Sequence, residues 1–383
     1  MTEENSYEDF LPYACQSLDE KDIAAVTEVL KGDWLTTGPK INEFEQAVAD
    51  YCGAEYAVAV SSGTAALHAA CFAAGIGEED EVITTPLTFA ATANSVLYCG
   101  GKPVFADVDP QTYNLSPGAV REKVNENTKA VIPVDYTGQP VNMDAINEIA
   151  AENDLVVIED ACHAIGAEYK GQKVGSLADM AVFSFHPVKH ITSGEGGMVL
   201  TDNEEYYKKL KQFRTHGITK AEEEFTGDSH GPWFYEQQFL GYNYRMTDIQ
   251  AALGLSQLNK LDQFIARRRE IVREYNRAFS DMDEIITPYQ HPDTDSSWHL
   301  YVIQVKVDRK EMFNCLLEHN IGANVHYIPV YYHPYYLNQG YEKGICPEAE
   351  KIYNKIITLP LFPAIKDEDV ERVIETVKKC LQT

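Results

Sequence analysis

Ser61-Ser62-Gly63-Thr64, Phe89, Asp160, Ser184 and Lys189 each lie at or just beyond a short apolar run, and their types and order constrain the chemistry they can do. The run YAVAV ends at Ser61-Ser62-Gly63-Thr64 and passes into a helical segment, presenting unpaired backbone amides and hydroxyls to an anion such as phosphate. For SSGT alone, plain helix capping explains the residues equally well. Phe89 stands in TPLTFAAT. LVVIE ends at Asp160, which taken alone serves as a helix cap, and MAVFSF carries Ser184. Lys189 follows in HPVKHITSGEGG, whose glycines permit close backbone approach to a ligand; a single lysine is ordinarily a solvated surface charge. The conjunction says more than any member. A helix start takes a phosphate, a carboxylate keeps a pyridine nitrogen protonated, an aromatic covers a ring face, and a lysine amine forms a Schiff base. Those are the parts a pyridoxal 5'-phosphate site needs. The motifs of rival chemistries (GxSxG, GxGxxG and GxxxxGK followed by Ser or Thr) are absent.

These residues need a scaffold that ends several strands at one edge. From residue 54 to about 201, YAVAV, EVIT, KPVFADV, AVIPV, LVVIED, MAVFSF and GMVLTD alternate with helical stretches such as SSGTAALHAACFAAG and MDAINEIAAEND. That alternation predicts an α/β fold, a mostly parallel sheet covered by helices, with ligands at the carboxyl ends of its strands. Two helices lead into it. From Asp248 the run DIQAALGLSQLNKLDQFIARRREIVREYNRAFS reads as one long helix, followed by a strand over 297–307, helical EMFNCLLEHN, the aromatic stretch HYIPVYYHPYY and a C-terminal helix. The expected division is a large cofactor-binding domain with its N-terminal helices over residues 1–247, and a long linking helix with a smaller α/β domain over 248–383. The charged segment KAEEEFTGDSHGP is a candidate surface flap.

Composition narrows the partners. Fifty-nine acidic against 32 basic residues give a formal net charge of -27 over 383 residues, which repels a nucleic-acid backbone or an anionic membrane. The opening MTEENSYEDF is acidic, and no apolar run approaches the roughly 20 residues that cross a bilayer, so a cytoplasmic protein is expected. Eight scattered cysteines form no CxxC pair and read as mostly reduced small hydrophobes; Cys162-His163 lacks a second ligand pair, so no metal site is expected.

At its chemical residues the chain resembles the sugar-nucleotide aminotransferases of pyridoxal-phosphate fold type I, the DegT/DnrJ/EryC group. The resemblance runs from about Tyr13 to the C-terminus, through WLTTGPKINEFE, SSGTAALHAA, TPLTFAATAN, EDACHAIGA, FSFHPVKHITSGEGG and GYNYRMTDIQAALGL. It implies that Lys189 is the Schiff-base lysine, Asp160 the partner of the pyridine nitrogen, and Phe89 the stacking aromatic. It implies phosphate contacts from Ser62, Gly63, Thr64 and Ser184, and from Asn243 across the interface of a homodimer with shared sites. His163 stands where many relatives carry Gln beside the ring hydroxyl, and its protonation would add a pH dependence. Substrate contacts implied are Tyr13, Asp33, Trp34, Leu35, Thr36, Arg245, His326, Tyr327, Ile328 and Pro329. A packed aromatic cluster is the alternative for 326–336, and a buried interface salt bridge for Arg245. The opening block and FSFHPVK are most similar to family members that transfer the amino group of L-glutamate to carbon 4 of a UDP-4-keto-6-deoxy-N-acetylhexosamine in pseudaminic acid biosynthesis. Enzymes making 4-amino-4-deoxy-L-arabinose share similar blocks. Sugar dehydratases of the same fold resemble this chain with His in place of the lysine, which Lys189 argues against.

Overall fold

The structure is a computed structural model that describes residues 10–382; the acidic opening, apart from Phe10, lies outside them. Seven strands, β1 (Tyr56–Val60), β2 (Glu81–Thr84), β3 (Lys102–Phe105), β4 (Thr128–Ile132), β5 (Val156–Asp160), β6 (Met180–Ser184) and β7 (Gly197–Thr201), form one sheet in the order β1-β7-β6-β5-β4-β2-β3. From β6 through β5, β4 and β2 to β3 every neighbour is parallel, whereas β7 runs antiparallel to both β1 and β6. The cause is local. Residues 185–196 return the chain to the same sheet edge without a crossover helix, which permits only an antiparallel neighbour. That return loop carries Lys189.

The helices are α1 (Glu20–Lys31), α2 (Pro39–Cys52), α3 (Gly63–Ala73), α4 (Ala91–Tyr98), α5 (Met143–Asn153), α6 (Glu204–Phe213), α7 (Asp248–Leu258), α8 (Leu261–Phe279), α9 (Arg309–Glu318) and α10 (Asp367–Cys380), with shorter turns between them. The Val- and Ile-rich strands are buried on both faces. Val58, Ile158 and Val199 pack with Leu67, Ala70 and Phe213 on one side, and Ala59, Phe183 and Leu200 pack with Phe44, Val48 and Ile265 on the other. A second, antiparallel sheet, β8 (Ile285–Ile286), β9 (Tyr301–Val305) and β10 (Ile356–Leu359), covers a separate core with Tyr275, Phe279, Leu316 and Val373.

The long helical run is two helices. It breaks at Asn259 and Lys260, with no glycine or proline to announce the break, because the turn is held from outside. The Lys260 ammonium lies 2.5 Å from Asp22 and 3.1 Å from Asp19, and Gln257 donates to Asp22 at 2.8 Å. Asp19 and Asp22 form the capping box of α1, so the N-terminal helix fixes where α7 ends. After the break, Leu261 and Ile265 serve the large-sheet core while Ile271 and Phe279 serve the second. The strand expected over 297–307 is also shorter: Ser297 and His299 donate backbone hydrogen bonds to Gly138 and Thr137, docking residues 297–300 on the first half instead of pairing them in the sheet. One pair of cysteines departs from the reduced reading, since Cys315 and Cys380 are joined by a disulfide across 65 positions. The segment 220–232 is a largely exposed loop closed by a two-residue strand pair. No helix among the described residues is long and apolar enough to cross a membrane.

Candidate active site

A cavity of about 730 Å³ opens at the carboxyl ends of β1, β5 and β6 and is roofed by residues 324–327 and Tyr13. The β1 strand delivers Ser61 and Ser62 to its wall. Ser62 caps α3 by accepting from the Ala65 amide at 3.1 Å, so the capping reading of its hydroxyl holds; the first-turn amides of Gly63 and Thr64 have no carbonyl partner within the helix. The backbone here is packed too tightly for side chains. A Cβ on Gly63 would lie 2.9 Å from the Ser184 Cβ, and one on Gly197 would lie 2.3 Å from the Ser62 carbonyl oxygen. Gly63, Thr64 and Ser184 thereby form one concave rim beside a helix N-terminus.

Asp160, the last residue of β5, is buried. Its Oδ2 accepts from the Thr92 hydroxyl at 2.7 Å, its Oδ1 from the Cys162 amide at 3.3 Å, and Thr88 meets Thr92 at 2.8 Å. Two hydrogen bonds fill only part of a carboxylate's acceptor capacity, leaving Asp160 able to take a further N–H from the cavity. Lys189 sits in the loop after β6, its backbone amide bonded to the His186 carbonyl. Its amine makes no hydrogen bond or ion pair among the described residues. Burial lowers its pKa from the ordinary lysine value, favouring the neutral amine.

His163 is buried, and its Nε2 lies 3.0 Å from the Tyr327 hydroxyl while Nδ1 has no partner. Burial, then the charge of Lys189, hold its pKa well below the usual imidazole value. The pH dependence expected of it is therefore displaced below the neutral range. His326 is held by Thr358 at 2.8 Å and by Asn324 at 3.3 Å, and burial brings its pKa down to about 3. Phe89 is 63% exposed at the cavity mouth, its ring centroid 6.4 Å from that of Tyr327.

The cavity thus brings together Tyr13, Ser62, Gly63, Thr64, Phe89, Asp160, His163, Ser184, Lys189, His326 and Tyr327. Asp33, Trp34, Leu35 and Thr36 are exposed and outside it, as are the exposed Asn243 and Ile328 and the buried Pro329. Arg245 lies in a separate cleft with Thr37, Asn42 and Arg214 and makes no ion pair among the described residues. The aromatic stretch divides: His326 and Tyr327 face the cavity, while Tyr331 and Tyr336 are buried against Phe105 and Leu87, as a packed cluster requires. Sequence reasoning missed Thr92, His186, Glu195 and Asn324, which also line the cavity. Thr92 was within reach, one helical turn beyond Thr88 in TPLTFAATAN.

A phosphate fits the amide-lined rim, a protonated ring nitrogen fits the incompletely satisfied Asp160, and a carbonyl carbon fits the unpaired Lys189 amine. Comparison with known proteins agrees. Residues 16–378 match the model of the DegT/DnrJ/EryC1/StrS aminotransferase family. The spore coat polysaccharide biosynthesis protein SpsC of Bacillus subtilis is 46% identical over 96% of this chain and 96% of its own. PseC of Helicobacter pylori, an aminotransferase involved in the biosynthesis of pseudoaminic acid, superposes with a TM-score of 0.91 at 33% identity, covering 97% of this chain and 99% of that one. Spr1654 of Streptococcus pneumoniae, a putative sugar aminotransferase solved in PLP and PMP forms, superposes with a TM-score of 0.91 at 31% identity over 97% of this chain and 99% of its own. With the fold type I architecture, pyridoxal phosphate as cofactor and aminotransfer as reaction class, the chain belongs to the DegT/DnrJ/EryC1/StrS aminotransferase family.

Proposed function

We propose that this chain moves the amino group of L-glutamate to carbon 4 of a UDP-linked 4-keto-6-deoxy-N-acetylhexosamine, the UDP-4-amino-4,6-dideoxy-N-acetyl-β-L-altrosamine transaminase step of pseudaminic acid biosynthesis. The observation that carries the aminotransfer is the unpaired Lys189 amine sharing a cavity wall with the half-satisfied carboxylate of Asp160. The likeness to PseC over nearly the whole chain supports the sugar. When bound, pyridoxal phosphate supplies the carbonyl that accepts the amino group and the electron sink that makes the neighbouring carbon acidic. Gly63, Thr64 and Ser184 hold its phosphate, Asp160 keeps its ring nitrogen protonated, Phe89 covers a ring face and His163 meets its ring hydroxyl. Lys189, whose pKa burial lowers toward that of a usable base, removes a proton from the amino-acid carbon and returns one to sugar carbon 4. Tyr13, His326 and Tyr327 meet the sugar.

The residues outside the cavity fit a homodimer with shared sites. Trp34 is 58% exposed and Leu35 49%, and Leu240 is exposed beside Asn243, an unusual cost for side chains that face water permanently. We read 33–36, Asn243 and Arg245 as completing the partner's site, and the chain as a larger cofactor-binding part through residue 247 with a smaller part beyond it. The test is an assay of the purified protein with glutamate and a panel of UDP- and dTDP-4-keto sugars, following 2-oxoglutarate and the amino sugar. Preference for the N-acetylhexosamine substrate supports the reading. Equal or better use of the UDP-4-keto-pentose moves the chain to 4-amino-4-deoxy-L-arabinose synthesis, and turnover of dTDP sugars alone overturns the nucleotide.

A further inference from the structure

On the far half of the molecule, Cys315, His319 and Cys380 bring three ligand atoms within 4.8 Å of one another, and none of the three lines the active-site cavity. Cys315 lies in the last turn of α9 and His319 caps it, four residues on and therefore on the same face. Their Sγ and Nδ1 atoms are 3.9 Å apart. Cys380 is the last residue of α10. We propose that, with its thiols reduced, this cluster binds one thiophilic divalent cation of the Zn²⁺ type and cross-braces α9 to α10.

Two thiolates on a tetrahedral cation, each with a metal–sulfur bond of about 2.3 Å, stand roughly 3.8 Å apart. The two cysteines have a Cα–Cα separation of 5.8 Å, and with about 2.8 Å from each Cα to its sulfur the side chains reach that spacing without backbone movement. The disulfide and the metal site are alternatives, since the same two sulfurs serve both. A thiol or phosphine reductant supplies the two electrons that open the disulfide, two protons complete the thiols, and the cation displaces those protons as it binds. His319 exchanges its Nδ1 hydrogen bond to the Cys315 carbonyl, 2.8 Å long, for a bond to the metal. The ring proton moves to Nε2, so the Lys379 ammonium, now 2.8 Å from Nε2, withdraws from it. The ligand set, two sulfurs and an imidazole, selects a soft or borderline cation over calcium or magnesium. Cys315 and His319 are only half-buried, which leaves the fourth position open to water. With its cysteines 65 positions apart and no CxxC pair, the cluster carries no recognisable ligand spacing in the sequence.

The full chain is reduced with a phosphine, freed of reductant without oxygen and titrated with Co²⁺. The expected result is a near-ultraviolet thiolate-to-cobalt absorption that saturates at one equivalent and is displaced by Zn²⁺. It is absent from the oxidised protein and from Cys380→Ser, and His319→Ala binds at least about tenfold more weakly. In the wild-type chain, which needs no variant to fold, Zn²⁺ protects Cys315 and Cys380 together from alkylation, read by mass spectrometry. The proposal is overturned by reduced protein that gives no one-equivalent signal, by Cys380→Ser that retains it, or by alkylation of the pair that Zn²⁺ does not slow.

Discussion

The floor and the roof of the active-site cavity are built in opposite ways. On the floor, Gly63, Asp160, Ser184 and Lys189 stand at or just beyond the ends of strands in one hydrogen-bonded sheet, so their relative positions follow from a few residues of register. On the roof, Tyr13 and His326 come from opposite ends of the chain. Tyr13 is fixed by the Leu361 amide on its carbonyl and by reciprocal backbone bonds of Leu11 with Asn320 and Gly322; His326 leans on Thr358, and its carbonyl accepts from Tyr136. The floor is set by register within one sheet, whereas the roof depends on docking the two cores. Chemistry common to a family belongs on the first, and substrate choice is free to vary on the second.

The largest effect belongs to the floor. Lys189→Ala is expected to abolish transfer between glutamate and the keto sugar while the chain still retains cofactor non-covalently, because the rim at Gly63 and the carboxylate of Asp160 survive. Cofactor absorbance after desalting and 2-oxoglutarate release measure the two halves of that expectation. Residual transfer without added amine removes Lys189 from its role. The mixing of Lys189→Ala with a strongly impaired Asn243 variant asks whether a third region, outside both floor and roof, belongs to the partner's cavity. Random reassortment gives about half heterodimers, each with one intact site in a two-fold dimer, so activity returns to about a quarter of all sites. Verified mixed dimers without recovery make Asn243 a surface residue.

Asp160→Asn is expected to fold and to slow transfer by on the order of a hundredfold or more, since an amide does not hold a ring nitrogen protonated. Near-wild-type rates reduce Asp160 to an anchor for Thr92 and the Cys162 amide. The roof residue Tyr327 is expected to matter less. Tyr327→Phe loses one hydrogen bond to His163, worth about 1 kcal/mol, or roughly fivefold in kcat/KM. A loss as large as that of Asp160→Asn erases the distinction between floor and roof.

The contrast also explains what was legible in the sequence. The floor strands β1, β5 and β6 were readable because strands buried on both faces are continuous apolar runs, and each run ends at or beside a polar residue that lines the cavity. The break between α7 and α8 was not, because its cause, Asp22, lies more than two hundred positions away. The same holds for the docking of residues 297–300 and for the Cys315–Cys380 pair, where the determinant is a tertiary partner and not a local propensity. His326 and Tyr327 were found through the family resemblance; from composition alone they are indistinguishable from Tyr331 and Tyr336, which are core.

Floor and roof meet across imidazoles, and this gives the smallest and most general expectation. His163 from the floor lies 4.4 Å, centroid to centroid, from His299, which in turn lies 5.5 Å from His190. Burial holds these three pKa values well below the usual value, His326 at about 3 and His68 at about 4. A histidine with a depressed folded pKa contributes stability that is present above the unfolded value of about 6.5 and lost as pH falls below it, at about 1.4 kcal/mol per pH unit for each proton taken up on unfolding. Two buried carboxyls oppose them. Burial pushes Glu159 up to about 7 and raises its neighbour Asp135 as well, so these hold protons in the folded chain and release them on unfolding, favouring the fold as pH drops. Five imidazoles against two carboxyls leave a net uptake of protons on unfolding. The urea midpoint of the cofactor-free chain is therefore expected to fall between pH 7.5 and 5.5. His326→Gln should make that fall shallower, and Glu159→Gln should make it steeper by removing an opposing group. A midpoint that holds or rises on acidification means that the imidazoles are already solvated in the folded chain, and that the seam between floor and roof is open to water.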